Sequence, residues 1–412
     1  MDTEQLANLT RWVTEAGLNG MTEADILHGF CRRMLEAGLP INRVNMIIDT
    51  LHPIYEGRAF RWRKDQADIE PVVEYGRTNE GEAAESWRRS TYYHLFHTGD
   101  DLLRRRIGPR HPADFVILDE LREEGQTDYL ALAHRFAAEG TIGEVDCFYS
   151  SWTTDAVSGF ADEEITILRD LAAPLALAMK CASLVRITET LVTTYLGRDA
   201  GRRVLSGRIA RGVTDRIQAV LWFSDLRGFT SVTETAEPEQ IIPFLNDYAE
   251  TIVSSIHDAG GDVLKLIGDG TLAIFTAENA AQACRCALEA ERRMRAGIHS
   301  LNKERAAADL PVTDAYLALH IGEVFYGNIG SQDRLDFTVV GPAVNEASRI
   351  AALCRSVERD ILVSSAFYSA ASEKDQENFV SVGRYALRGV KRPQELFTLE
   401  PEFMTETLGD PS

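Results

Sequence analysis

The sequence has no excess of basic residues and no long uncharged hydrophobic run. Lysine and arginine number 43 against 63 aspartates and glutamates, a formal net charge of −20. That charge repels nucleic acid and anionic membranes, so we expect neither as a partner. The most apolar segment, 165–179, is interrupted by Arg169 and Asp170, and the first residues, "MDTEQLANLT", lack the basic and apolar parts of a signal peptide. We therefore expect a cytoplasmic protein.

Cysteine pairs with the two-residue spacing of metal sites are also missing. The six cysteines are scattered along the 412 residues, which favours reduced thiols. The isolated histidines of the first 180 residues form no ligand pattern either, and no internal repeat or low-complexity tract is present. The length suits two or three ordinary domains, each with its own core.

The first 180 residues mix helical and strand patterns. Helices are predicted at 23–37, 92–106, 114–124 and 158–180, and strands at 43–50, 129–136 and 145–154. The ending, a strand followed by "SGFADEE" and a long apolar helix, is similar to GAF-type sensor domains. That resemblance implies a regulatory domain over residues 1–180 that binds an unknown small ligand, although no residue identifies the ligand. An unrelated α+β domain is the alternative.

A linker is predicted between the two halves of the chain. Apolar residues at 168, 171, 175, 184, 187, 191 and 195 keep a period near 3.5 with one shift of phase, which allows a two-helix seam with a partner chain. A helix packed on its own domain is the alternative. Residues 197–212, with four glycines and five arginines, read as a connector, so the linker spans 181–212 and a new domain spans 213–400. The tail, 401–412, is expected to be loose.

Two carboxylates of the second half occupy unusual places. Asp225 ends the apolar strand "RIQAVLWFSD", and Asp269 lies at the turn of the hairpin "VLKLIGDGTLAIF". Each alone is explained as a cap or turn residue. If the two strands are neighbours in one sheet, however, the carboxylates supply hard oxygen ligands that can share a pair of magnesium ions.

Lys265, inside the same hairpin, is harder to explain by structure alone. An ammonium group in an apolar strand costs several kcal/mol, in rough terms, unless it is paired or functional.

The order of elements predicts the fold of this domain. A strand at 216–224, a helix at 238–259, the hairpin at 262–276, a helix at 279–298 and a strand at 315–322 give the βαββαβ order of ferredoxin-like folds. The fold class is therefore α+β, with a ferredoxin-like C-terminal domain behind a helical linker and an N-terminal α+β domain.

A third segment, "DFTVVGPAVNEASRI" at 336–350, predicts a strand, a Gly-Pro turn and a helix. Asn345 and Arg349 are four residues apart, so they project from one helical face and can act on one ligand. An arginine fork matches phosphate oxygens. A solvated pair on a surface helix is the alternative.

Taken together, "FSDLRGFT", "LKLIGDGTLAIF" and "DFTVVGPAVNEASRI" resemble the signature segments of class III nucleotidyl cyclases, over about residues 215–400. The resemblance implies that Asp225, Asp269 and the backbone carbonyl of Leu226 bind two Mg²⁺ or Mn²⁺ ions. It implies that Asn345 orients the ribose and that Arg349 stabilises the α-phosphate. It also implies that the backbone at Gly228, Phe229 and Thr230 holds phosphate oxygens, and that Lys391 is a candidate for triphosphate binding.

The resemblance also addresses base choice and assembly. Lys265 occupies the purine-reading position in the form typical of adenylate cyclases, and Thr338 occupies the second reading position, as in subclass IIIb. ATP is thus the implied substrate, with cyclic AMP and pyrophosphate as products. Family sites form between two chains, so a homodimer with shared active sites is implied. A guanylate cyclase and a catalytically silent nucleotide-binding signalling dimer stay open as alternatives.

Overall fold

The computed structural model describes residues 1–65, 70–78, 81–109, 111, 114–136, 146–388, 390 and 393–400. The chain divides into two compact units, the first Met1–Leu191 and the second beginning at Val192. The predictions for Lys391 and for the tail 401–412 lie outside the described residues.

The first unit is an α+β domain built on one antiparallel sheet of six strands in the order β3-β2-β1-β6-β5-β4. Its helices are α1 Thr3–Leu18, α2 Glu23–Glu36, α3 Gly81–Arg88, α4 Thr91–Thr98, α5 Val116–Glu123 and α6 Asp162–Leu196. Its strands are β1 Arg43–Asp49, β2 Gly57–Arg63, β3 Val72–Tyr75, β4 Leu102–Arg106, β5 Asp128–Arg135 and β6 Cys147–Thr154. The predicted α+β class is confirmed, whereas the likeness to GAF domains stays a prediction.

One helix predicted in this unit is wrong in its second half. The helix predicted at 92–106 ends at Thr98, because Gly99 takes the left-handed conformation with φ of 80° and its N–H caps the helix. The chain then forms β4, in which Leu103 is buried and pairs with Ala131 of β5. A single glycine in a helical pattern therefore marked a boundary.

Helix α6 is longer than the predicted 158–180. It runs for 35 residues through the first half of the predicted helical linker, and Arg198–Leu205 forms a further helix, α7, within the predicted connector. Leu168, Leu171, Leu175 and Ile187 of α6 are at most 1% exposed in the core of their own unit. At these positions α6 packs on its own unit, which favours that alternative over a two-helix seam with a partner chain.

The length and apolar composition of α6 also meet the requirements of a membrane-crossing helix, alone among the helices that the structure describes, although less than half of its apolar stretch is buried. The buried side is that of a core helix, so length and composition are weak grounds for a membrane span.

The second unit has eight strands in one sheet, in the order β13-β14-β12-β10-β7-β9-β8 with β11 paired to β10. The strands are β7 Thr214–Leu226, β8 Asp262–Ile267, β9 Gly270–Phe275, β10 Ala315–Gly330, β11 Leu335–Val340, β12 Ile361–Ser364, β13 Phe379–Tyr385 and β14 Gln394–Leu399. After α7 the helices are α8 Phe229–Thr235, α9 Pro238–Asp258, α10 Ala280–Ala307, α11 Pro342–Val357, α12 Ser365–Ala370 and α13 Glu373–Gln376.

Four neighbouring strands at one end of the sheet, β10-β7-β9-β8, with α9 and α10 as connections, have the order expected of a ferredoxin-like βαββαβ core. That prediction is confirmed. Both β10 and α10 run further than predicted, since β10 pairs with β7 along all 13 residues of β7.

The two faces of this sheet have different roles. One face packs on α9 and α10 through Trp222, Phe244 and Phe275. The other contains Leu221, Leu272 and Val324 and meets residues of α7, β11 and α11. Because side chains alternate along a strand, Asp225 lies on the second face, with Leu221.

Candidate active site

The structure brings Asp225 and Asp269 together. Ser224 of β7 pairs with Thr271 of β9, which places the hairpin tip next to the end of β7. Gly270 makes this approach possible: a Cβ atom there would lie 2.9 Å from the Ser224 carbonyl oxygen and 3.5 Å from Asp225 Oδ1. The two carboxyl groups are then close enough to share a hydrogen bond.

The pair is electrostatically unfavourable without a cation. Burial, and then the negative charge of Asp269, raise the pKa of Asp225 to about 6, and the positive charge of Arg355 offsets this only in part. Two adjacent carboxylates with too little positive charge around them fit a divalent metal.

The donor atoms indicate what kind of ion would fit. Among the described residues no group of three or more His, Cys, Asp or Glu side chains could hold a metal, so the protein offers two carboxylates and backbone oxygens. Such a set suits Mg²⁺ or Mn²⁺ completed by water or phosphate oxygens, and does not suit a closed zinc site. The carbonyl of Leu226, next along β7, remains the predicted third ligand.

The predicted phosphate-binding backbone follows directly. Gly228 takes a left-handed conformation, with φ of 69°, and Phe229 and Thr230 begin α8. Phe229 stacks on Phe244 with 6.2 Å between ring centroids, which anchors the turn to the core. The backbone geometry at Gly228–Thr230 is that of a helix start, and its binding of phosphate stays a prediction.

Lys265 has a partner that the sequence reasoning missed. Its ammonium group forms an ion pair with the carboxylate of Asp336 on β11. Asp336 and Thr338 are two residues apart on one strand, so they lie on the same face. The alternation along "LDFTVV" could have revealed Asp336 as a neighbour of Thr338, but its contact with β8, 71 positions earlier in the chain, could not be seen in the sequence.

Asn345 and Arg349 lie on α11, which packs on the sheet through Ala343 and Ala347. Asn345 is exposed and Arg349 half-buried. The arginine of this helix whose charge acts on Asp225 is Arg355. At 1.5 Å per residue, Asn345 lies about 15 Å from Arg355 along the helix axis. A single chain thus groups Lys265 with Asp336 and Asp225 with Asp269.

The second unit thus combines a ferredoxin-like sheet with two carboxylates, at the end of its first strand and at its hairpin tip, an arrangement that can hold divalent metal ions. The family comparison adds the class of protein. The model of the adenylate and guanylate cyclase catalytic domain matches residues 214–401, and this part of the chain belongs to that family.

The matched relatives include proteins named for each nucleotide. The chain is 36% identical over 156 residues to an adenylate cyclase of Anabaena cylindrica, covering 37% of this chain and 30% of the relative. A solved structure of the adenylyl cyclase CyaB from P. aeruginosa has 26% identity and a TM-score of 0.42, over 46% of this chain and 96% of that one. The guanylyl cyclase Cya2 has 27% identity and a TM-score of 0.40, over the same shares. The match with the Anabaena cylindrica relative spans only 30% of that protein's length.

Proposed function

We propose that the protein is an adenylate cyclase, which converts ATP to 3′,5′-cyclic AMP and pyrophosphate. The observation that carries the proposal is the pair of adjacent carboxylates, Asp225 and Asp269. Burial, and then repulsion from Asp269, raise the pKa of Asp225. The family match of residues 214–401 supports the reaction type.

In the proposed reaction the ribose 3′-oxygen forms a bond to the α-phosphorus, the bond from that phosphorus to the bridging oxygen of the β-phosphate breaks, and the 3′-hydroxyl proton is released. Bound Mg²⁺ or Mn²⁺ would lower the pKa of the hydroxyl and neutralise charge on the phosphates. Asp225 and Asp269 hold the ions. Asn345 orients the ribose, and the fixed positive charge of Arg349 stabilises the crowded α-phosphate.

The choice of ATP follows from hydrogen-bond complementarity. Adenine presents an acceptor at N1 and a donor at its 6-amino group, whereas guanine presents a donor at N1 and an acceptor at O6. The ammonium group of Lys265 can only donate, and the carboxylate of Asp336 and the hydroxyl of Thr338 can accept. This set matches adenine when Lys265 faces N1 and Asp336 or Thr338 faces the 6-amino group, which supports ATP as substrate.

Assay of the purified protein with Mn²⁺ tests the proposal. We expect cyclic AMP from ATP, with GTP turned over at least about tenfold less efficiently, and no product after removal of the metal with EDTA. Cyclic GMP as the main product would make the protein a guanylate cyclase. Binding of ATP without any product, in both wild type and Asp225→Ala, would make it a silent signalling dimer.

Replacing Lys265 by methionine tests base recognition separately. Loss of a charged hydrogen bond to N1 should lower kcat/KM for ATP by about 10- to 100-fold, equivalent to about 1.4–2.7 kcal/mol. Lys303→Met, at an exposed position on α10, is the matched control and should behave as wild type. If Lys265→Met retains more than half of the wild-type kcat/KM for ATP, Lys265 does not read the base.

The proposal extends to assembly, regulation and location. It includes a homodimer with shared active sites, as the resemblance to class III nucleotidyl cyclases implies. In the first unit, a cavity of about 790 Å³ between the sheet and α3–α5, lined by Asn45, Arg61 and Tyr92 among others, is large enough for a small regulatory ligand. The acidic composition, with a net charge of −20, is compatible with the cytoplasm.

A further inference from the structure

Arg295, in the middle of α10, is a charged residue with only 11% of its side chain exposed. Its guanidinium donates to Glu291 Oε1 at 3.1 Å and to Asp314 Oδ1 at 2.8 Å. It also donates to the carbonyl oxygens of Ala315 at 2.6 Å and Asp360 at 3.0 Å. A buried guanidinium is tolerated only when its donors are satisfied in this way. Arg295 therefore joins α10 to the start of β10 and to the turn before β12.

Those two segments hold the end of β7. Leu226 pairs with Ala315, and Asp225 with Tyr316. The Arg227 N–H donates to the carbonyl oxygen of Asp314 at 2.7 Å.

Two side chains add to this support. The Thr313 hydroxyl donates to the Arg227 carbonyl oxygen at 2.5 Å, and the Asp360 carboxylate lies 3.5 Å from Arg227 Nη1. Each of these partners of the segment 225–227 is thus bound to Arg295 or adjacent in sequence to a residue that is.

We propose that Arg295 is a positioning residue for the metal-binding segment 225–227. The proposal rests on the assignment of Asp225 and the Leu226 carbonyl as metal ligands. Arg295 touches neither ion nor nucleotide. It fixes Asp314, Ala315 and Asp360, and these fix the backbone that presents both ligands. Because metal geometry tolerates only small displacements, loosening this support weakens metal binding before it destroys the fold.

Lysine cannot replace this arginine. Its ammonium group donates from one point, whereas the planar guanidinium reaches three segments in different directions. Arg295 also lines a cavity of about 580 Å³ together with Glu291, Asp314 and Asp360. A free guanidinium ion could enter the space that is left when the side chain is removed, which makes chemical rescue a direct test.

The experiment compares Mn²⁺ binding by the full-length wild type and by Glu291→Gln/Arg295→Ala. The glutamine avoids leaving Glu291 as an unpaired buried charge. We expect the Mn²⁺ dissociation constant, measured by electron paramagnetic resonance on metal-stripped protein, to rise at least about tenfold. Millimolar guanidinium chloride should restore most of the affinity. Arg292→Ala is the control, since Arg292 lies on the same helix and pairs with Glu289.

An unchanged Mn²⁺ constant in the folded double variant overturns the proposal, and so does weaker binding that guanidinium does not rescue. If the double variant fails to fold, Arg295→Lys and Thr313→Val are measured in the same way. Weaker Mn²⁺ binding at an unchanged melting temperature supports the positioning role. Mn²⁺ binding as tight as that of the wild type in both variants refutes it. The test measures Mn²⁺ binding and not turnover. A wild type that makes no cyclic AMP would therefore refute the cyclase assignment, whereas the role of Arg295 would still be decided by the Mn²⁺ dissociation constants.

Discussion

Asp225→Asn should abolish turnover and at the same time stabilise the metal-free protein at neutral pH. Loss of one of the two metal carboxylates should lower kcat/KM by at least about 10³-fold, or about 4 kcal/mol, since the remaining carboxylate cannot hold both ions. Stability should move in the opposite direction because Asp225 and Asp269 repel each other in the folded chain.

The sign of the pH dependence follows from the raised pKa. Asp225 titrates at about 6 when folded and near its ordinary value of about 3.9 when unfolded, so the folded state binds the proton more tightly. Its favourable contribution is fully present below about pH 4 and is lost as the pH rises through about 6. After allowance for solvent screening, the metal-free wild type should be less stable than Asp225→Asn by about 1–2 kcal/mol at pH 7.5.

Urea unfolding in EDTA at pH 4 and pH 7.5 measures this difference. Asp333→Asn, at an exposed position between β10 and β11, is the control and should show no such gain. Added Mn²⁺ should stabilise the wild type and not Asp225→Asn, because only the wild type gains binding free energy in the folded state. A variant that is no more stable than wild type at pH 7.5 would show that the carboxylate pair carries no repulsion.

Mixed dimers of Asp269→Ala and Arg349→Ala should recover activity that neither variant has alone. The proposed site takes its metal carboxylates from one chain and Asn345 and Arg349 from the other. A mixed dimer then contains one site with both defects and one site with none. Random assortment makes half of the dimers mixed, so an equal mixture should reach about a quarter of the wild-type rate.

The control mixture combines Asp225→Asn with Asp269→Ala. Both changes fall in the metal half of the site, so each site of that mixed dimer keeps one defect and the mixture should stay inactive. A site shared between chains would be refuted if the control mixture also recovered activity. It would also be refuted if the test mixture stayed inactive although separately tagged chains were shown to pair.

The sequence was informative where local pattern and chemistry agree. The apolar strand that ends in Asp225 and the hairpin that presents Asp269 were both predicted, and the structure puts the two carboxylates side by side. The prediction failed at 92–106, where the helical pattern before Gly99 was extended into residues that pair as a strand. A connector was predicted at 197–212 from its four glycines and five arginines, and within it Arg198–Leu205 is helical.

Contacts between distant residues account for what could not be predicted. Asp336 pairs with Lys265 through the packing of β11 near β8, and Arg295 bonds to Asp360, 65 positions later. Neither pairing leaves a periodic signal, since each depends on how whole elements are arranged. The role of Arg355 beside Asp225 was missed for the same reason.

The absence of a side chain at Gly270 lets the hairpin tip approach the end of β7. A Cβ atom there would stand only 2.9 Å from the Ser224 carbonyl oxygen. The closeness of the two carboxyl groups therefore depends on a position that carries no functional group. Any larger residue at 270 would push Asp269 away from Asp225, and so weaken the carboxylate pair without removing either of its members.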